Sequence, residues 1–299
     1  MEKKYKGVLA VVCTPFGQDG QIDEAALRSH IRWLIDDCKV HAIIPCGSTG
    51  EFAFLKKEEK EKVVEITVEE VKKQLPVIAG SAACSTQETI QTAQTYQKMG
   101  VDGVMVVPPY YGSLKDEELY YHFSTLAKNV DLPIVVYNNP GTSGSDILPN
   151  LAARLAEFDN IVAIKESSGH MQRVSEIMRL CGDQIEVLCG CDNLSMEMFA
   201  NGVQGWIAAP ANIIAKQCVA LYDLMVIKKD FAKAKDLYFT LLPLFNLFEE
   251  SGLYVQLAKI GLKYLGRPIG EPRKPLLPPS KEMENKLKEI LDQIYSYEI

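Results

Sequence analysis

Ile161-Val162-Ala163-Ile164-Lys165-Glu166-Ser167-Ser168-Gly169 is an apolar run that ends on a lysine and is stopped by two serines and a glycine. Its β-type composition predicts a buried strand over 161–165, with Lys165 where the strand meets its loop. An amine held there is partly desolvated, which disfavours the ammonium form and leaves the neutral amine that a Schiff-base nucleophile requires. The plainer readings are a lysine that reaches past the strand end to water, or one that pairs with Glu166. Runs of the same kind recur at 7–13, 42–46, 76–82, 103–108, 133–138, 185–190 and 205–209, making eight strand candidates between residues 7 and 212. Between them lie amphipathic stretches with helix marks: Asp23 before Glu24-Ala25-Ala26-Leu27, a Lys/Glu-rich segment over 56–73, Thr86 to Met99, and Asp116 to Asn129. Eight βα repeats in about 225 residues predict an α/β protein, a closed (β/α)8 TIM barrel. A doubly wound open sheet would favour a Gly-x-Gly-x-x-Gly turn after the first strand, and Cys13-Thr14-Pro15-Phe16-Gly17 is not one.

The alternation stops after residue 213, and helical patterns follow at about 214–227, 230–250, 254–265 and 281–296. Pro268, Pro272, Pro275, Pro278 and Pro279 crowd one connection, which should run extended across the surface. We therefore expect a barrel over 1–225 that carries the active site, and a C-terminal helical appendage over 226–299 that serves packing or oligomerisation.

A formal net charge of -7, with no basic run and no finger spacing, argues against nucleic acid as a partner. Eight scattered cysteines without Cys-x-x-Cys read as reduced core residues of a cytoplasmic protein. Met1-Glu2-Lys3-Lys4-Tyr5-Lys6 before Gly7 to Cys13 imitates a signal peptide, but the apolar part spans about seven residues and reads as the first strand. No apolar run approaches the roughly 18–20 residues of a membrane span.

In such a barrel the site lies at the carboxyl ends of the strands. The second strand delivers Gly47-Ser48-Thr49-Gly50-Glu51, whose hydroxyls and N–H groups can hold a carboxylate, although a capped glycine turn fits as well. It is not Gly-x-Ser-x-Gly, so a hydrolase elbow is unsupported. The fourth strand delivers Pro108-Pro109-Tyr110-Tyr111-Gly112, and the fifth Tyr137-Asn138-Asn139-Pro140-Gly141-Thr142. Tyrosines at strand ends commonly only pack, but beside a lysine in a dry cleft a phenol can shuttle protons. The seventh delivers Cys189-Gly190-Cys191-Asp192-Asn193. Alternation points both of its thiols the same way into packing and no histidine lies near in sequence, so no metal is expected. Histidines 30, 41, 122 and 170 form no ligand pair and read as core or surface residues.

Together, Gly47-Ser48-Thr49-Gly50-Glu51, Pro109-Tyr110-Tyr111, Tyr137-Asn138-x-Pro140, Ile164-Lys165-Glu166-Ser167-Ser168-Gly169 and Gly190-x-Asp192 resemble, in order and spacing, the dihydrodipicolinate synthase and N-acetylneuraminate lyase family of class I aldolases. The resemblance covers essentially the whole chain. It implies that Lys165 forms an imine with pyruvate or a pyruvate-derived 2-oxo acid, so that no cofactor is needed. Ser48 and Thr49 would bind the carboxylate, and Tyr137 would be the general acid/base. Tyr111 from a neighbouring subunit and Ser48 would complete a proton relay, in a homotetramer. Gly47, Ser167, Gly190, Asp192 and Ile207 fall at substrate-binding positions.

Thr142 stands where the synthases carry an arginine for the second substrate's carboxylate, and a hydroxyl cannot replace a guanidinium. Ser48, Ser167 and Asp192 resemble the sugar-acid lyase branch, although Asn193 replaces its glutamate. These departures point away from a dihydrodipicolinate synthase and toward reversible cleavage or formation of a C–C bond of a hydroxylated 2-oxo acid. The alternatives are a synthase using another contact, or a keto-acid dehydratase or deaminase acting through the same imine. A non-catalytic 2-oxo-acid binding protein is permitted by fold alone; the intact lysine, tyrosines and hydroxyl pair argue against it. Lys57 and Lys60 replace the two histidines of the family's lysine-effector site, which predicts insensitivity to free lysine.

Overall fold

A computed structural model describes residues 5–298; the Met1–Lys4 part of the signal-like stretch lies outside the described residues. Eight strands form where the apolar runs predict them: β1 (Gly7–Val11), β2 (Ala42–Ile44), β3 (Ile78–Gly80), β4 (Gly103–Val106), β5 (Ile134–Asn138), β6 (Ile161–Glu166), β7 (Glu186–Cys189) and β8 (Gly205–Ala208). They pair in parallel in the order β2-β1-β8-β7-β6-β5-β4-β3. The two ends meet through a parallel bridge between Ile43 and Val77, with the Ile43 N–H on the Pro76 carbonyl and the Gly80 N–H on the Pro45 carbonyl, both at 3.0 Å. The sheet thus closes into the predicted (β/α)8 barrel. Because helices cover the outside and side chains fill the inside, the strands are buried on both faces and read as continuous apolar runs. Several strands end before their runs do. At Cys46, for example, φ is 56°, which takes the chain out of the ladder and onto the rim.

The outer ring comprises α1 (Glu24–Arg32), α2 (Lys57–Val71), α3 (Thr86–Met99), α4 (Asp116–Ala127), α5 (Pro140–Ser143), α6 (Pro149–Leu155), α7 (Met171–Cys181), α8 (Ser195–Ala200) and α9 (Ala211–Tyr222). Side chains cap α1 and α3: the Asp23 carboxylate accepts the Ala26 N–H at 2.9 Å, and the Ser85 hydroxyl the Glu88 N–H at 3.2 Å. Beyond the barrel come α10 (Phe231–Ser251), α11 (Tyr254–Tyr264) and α12 (Lys281–Ser296). Leu237, Leu241, Phe245 and Phe248 make the buried stripe of α10. Trp206 of β8, fully buried, meets the edges of Phe199 and Phe245 at centroid distances of 6.1 and 5.6 Å and joins barrel to appendage. Removing such a buried indole costs about 3–5 kcal/mol. The proline-rich connection has no regular structure and follows the barrel rim, where the Phe16 N–H donates to the Ile269 carbonyl at 3.1 Å.

Seven of the eight cysteines are buried and free, as expected of core residues. Cys84 is also free but exposed, because Ser81-Ala82-Ala83-Cys84 leaves β3 for the loop that caps α3. No helix among the described residues is long and apolar enough to cross a membrane.

Candidate active site

Lys165 and Tyr137 are Cα partners across β6 and β5, so their side chains project to the same face of the sheet, into the barrel mouth. Both are 6% exposed, and the lysine Nζ lies 3.9 Å from the centroid of the tyrosine ring. The Tyr137 oxygen accepts a hydrogen bond from Asn139 Nδ2 at 3.0 Å, which orients the phenol and leaves its own proton available to the cavity. Glu166, next in sequence, points to the opposite face. Its carboxylate accepts from Asn138 Nδ2 at 2.9 Å and from the Ser168 N–H at 2.6 Å, so it is occupied by its own strand end rather than by Lys165.

These groups open into a cavity of ≈ 360 Å³, walled also by Ser48, Thr49, Ser167, Gly190, Asp192 and Ile207, with Thr142 exposed at its edge. Ser48 is exposed and Thr49 is buried, on a turn bounded by two non-glycine residues in the left-handed region, Cys46 (φ 56°) and Glu51 (φ 61°). Each such residue costs on the order of 1–3 kcal/mol and persists where its surroundings over-determine it, commonly at functional sites. Gly47 does not line the cavity; a Cβ there would lie 2.5 Å from Val11 Cγ1, so its role is to let the turn lie against β1. At Gly190 a Cβ would lie 1.9 Å from Ser167 Oγ and 2.8 Å from Lys165 Cε. The glycine therefore makes room for the lysine itself.

Asp192 is anchored rather than free: Trp206 Nε1 donates to its Oδ1 at 2.8 Å and it is 2% exposed. Burial, then the nearby Glu249 carboxylate, push its pKa well above the ordinary carboxylate range, which favours the protonated, hydrogen-bond-donating form.

Tyr111 is not in this cavity. It is 91% exposed and lines a separate groove with Cys84, Leu114 and Tyr121. The strand residues Val11 and Met105, and Ala209 just past β8, also line the cavity, and three lining residues outside the barrel escape the sequence reading altogether: Glu249, Gly252 and Tyr254, at the junction of α10 and α11. The Glu249 carboxylate accepts the Asp192 N–H at 3.0 Å and the Tyr254 hydroxyl at 2.6 Å. The appendage therefore supplies a wall of the site in addition to packing surface, which corrects the narrower role expected for it. The one available signal was an acid four residues after Phe245, continuing an otherwise apolar face. No cluster of three or more potential metal ligands occurs among the described residues.

The profile described as the dihydrodipicolinate synthetase family matches residues 4–294. The chain belongs to the dihydrodipicolinate synthetase family. Relatives in it include the 4-hydroxy-tetrahydrodipicolinate synthase of Geotalea daltonii, 40% identical over 97% of this chain and 98% of its own. That of Thermodesulfovibrio yellowstonii is 40% identical over 96% and 97%. Among solved structures, the 4-hydroxy-tetrahydrodipicolinate synthase of Methylacidiphilum fumariolicum SolV superimposes with a TM-score of 0.94 at 34% identity, covering 98% of this chain and 97% of that one. The dihydrodipicolinate synthase of Aquifex aeolicus gives 0.91 at 34% identity over 97% and 98%. Enzymes of the dihydrodipicolinate synthetase family are carbon–carbon lyases that hold pyruvate as a lysine Schiff base and need no further cofactor. These likenesses weigh against setting the chain apart from the synthases on the strength of Thr142, and they give the sugar-acid lyase branch no specific support.

Proposed function

We propose that the chain is a 4-hydroxy-tetrahydrodipicolinate synthase that joins pyruvate, held as an imine on Lys165, to the aldehyde carbon of aspartate semialdehyde. The observation that carries this reading is the buried Lys165 amine against Tyr137, in a cavity edged by the Ser48 and Thr49 hydroxyls. The neutral amine adds to the 2-oxo carbon, and loss of water gives a protonated imine. That electron sink allows a proton to leave C3, and the resulting enamine attacks the aldehyde, whose oxygen gains a proton; the semialdehyde's own amine then adds to the re-formed imine carbon and expels the Lys165 amine, which closes the product ring and frees the enzyme. Tyr137 moves these protons, Ser48 and Thr49 hold the pyruvate carboxylate, and Tyr111 reaches a neighbouring subunit's site in an oligomer of at least two chains. The near-total exposure of Tyr111 within one chain supports that last assignment.

One observation favours a second reading, reversible aldol cleavage of a hydroxylated 2-oxo acid. Lys165 is the sole cation among the described residues that line the cavity, whereas Asp192, Glu249, Tyr254 and Thr142 offer partners for hydroxyls. Borohydride reduction with pyruvate should add mass at Lys165 and nowhere in Lys165→Ala; a folded wild-type protein without an adduct would overturn the imine. Consumption of pyruvate only with aspartate semialdehyde supports the synthase. Release of pyruvate and an aldehyde from a hydroxylated keto acid supports the second reading, and loss of water or ammonia from an intact carbon chain would point to a dehydratase or deaminase.

A further inference from the structure

The turn that carries Ser48 and Thr49 is gripped from outside the barrel. Glu51, in the left-handed region, is 1% exposed; its Oε1 lies 2.6 Å from Lys259 Nζ, and its Oε2 accepts the Arg273 N–H at 2.7 Å. Lys259 sits on α11 and is itself 2% exposed; its Nζ also lies 4.3 Å from the Phe16 ring centroid and donates to the Glu271 carbonyl at 3.1 Å. On the near side, the Thr14 hydroxyl donates to the Gly50 carbonyl at 2.6 Å. None of Thr14, Glu51, Lys259 and Arg273 lines the catalytic cavity, yet all four converge on the turn that does. Desolvation offsets much of the attraction within a buried ion pair, so stability alone is a weak reason for one; fixing a single arrangement is a better one. A left-handed glutamate needs such fixing.

The geometry points to Lys259 as a positioning residue: through Glu51 it sets the Ser48–Thr49 turn in the form that presents its hydroxyls and N–H groups to a 2-oxo acid's carboxylate. A helix beyond the barrel thereby governs how tightly the first substrate is held. This inference rests on the Schiff-base reading above.

The test compares Lys259→Met, Lys259→Arg and the neutral pair Glu51→Gln/Lys259→Met with the wild type, using thermal melting, pyruvate saturation of the borohydride-trapped adduct, and steady-state turnover. Lys259→Met should melt earlier and need about tenfold more pyruvate for half-saturation, with kcat within about threefold, the signature of lost ground-state binding. Lys259→Arg, which keeps the charge, should recover most of that affinity. The neutral pair should regain thermal stability because no uncompensated charge stays buried, while its pyruvate requirement stays raised. Wild-type pyruvate saturation in the neutral pair would show a merely structural bridge and overturn the inference, and this comparison decides even if Lys259→Met fails to fold. Absence of any adduct in the wild type would instead overturn the imine reading.

Discussion

Replacing Gly190 with alanine adds one methyl group where the cavity has no room for it. The new Cβ would lie 1.9 Å from Ser167 Oγ, 2.8 Å from Lys165 Cε and 2.9 Å from the Glu166 carbonyl oxygen. The serine can rotate away. The carbonyl cannot retreat easily, because it accepts the Gly190 N–H at 3.0 Å beside the β6–β7 ladder. To restore a contact of 3.4 Å the lysine must withdraw by 3.4 − 2.8 = 0.6 Å. A misplacement of about 1 Å costs on the order of 100-fold, so 0.6 Å should lower kcat/KM by roughly 10- to 100-fold, or about 1.4–2.7 kcal/mol of transition-state stabilisation. The rate of borohydride-trapped adduct formation should fall in parallel, and the melting temperature should drop by a few degrees, because overpacking against a carbonyl that cannot retreat costs about 1–3 kcal/mol. Gly190→Ala/Ser167→Ala removes the closest clash and leaves the other two, so it should remain impaired. Activity of Gly190→Ala within threefold of wild type, or full recovery in the double variant, would refute the claim that this glycine makes room for the lysine.

Tyr137→Phe removes the proposed proton carrier but not the ring that packs on Lys165; kcat should fall by about 10²- to 10⁴-fold, with the pyruvate adduct still trapped by borohydride. Burial lowers the pKa of His30 and of His122 to about 4 from 6.5. The folded chain thus holds neutral rings while the unfolded chain takes up the protons, so stability is retained above pH 6.5 and declines as pH falls toward 4. Each histidine contributes about 1.4 kcal/mol per pH unit within that window, and denaturant titrations of His30→Gln should show the slope reduced by one such increment. Free lysine at millimolar concentration should leave turnover unchanged. Lys57, 3.8 Å from Glu61, and Lys60, 5.8 Å from the Phe52 ring centroid, put two ammonium groups where the resemblance places the effector site's histidines, and these should repel a third; micromolar inhibition would contradict this.

The barrel was legible because strands buried on both faces must be apolar throughout, and eight such runs separated by helix-length stretches have few other ways to close. Their ends were less legible: Cys46 and the residues after Val106 belong to the rim, where a conformation needed by the site overrides the composition of the run. The juxtaposition of Lys165 and Tyr137 was legible because each stands one residue before the end of its strand, and the fold places strand ends together. Glu249 was not, since it meets Asp192 across 57 residues and periodicity reports only which face of α10 it shares, not what that face touches. Thr142 carries less weight than the sequence reading gave it, for a related reason. A missing guanidinium says what one position does not do, and it is silent about the neighbours that the fold brings to the same edge.

The division of the cavity between barrel and appendage has a consequence for how such a chain can change over generations. Substitutions near Glu249 and Tyr254 alter the wall contributed by α10 and α11 without touching the β5–β6 pair that carries Lys165 and Tyr137. Inheritance can thus reshape the wall that meets a second substrate while the proposed imine lysine and its proton carrier stay intact, and laboratory libraries confined to residues 246–256 offer the corresponding route to altered substrate choice.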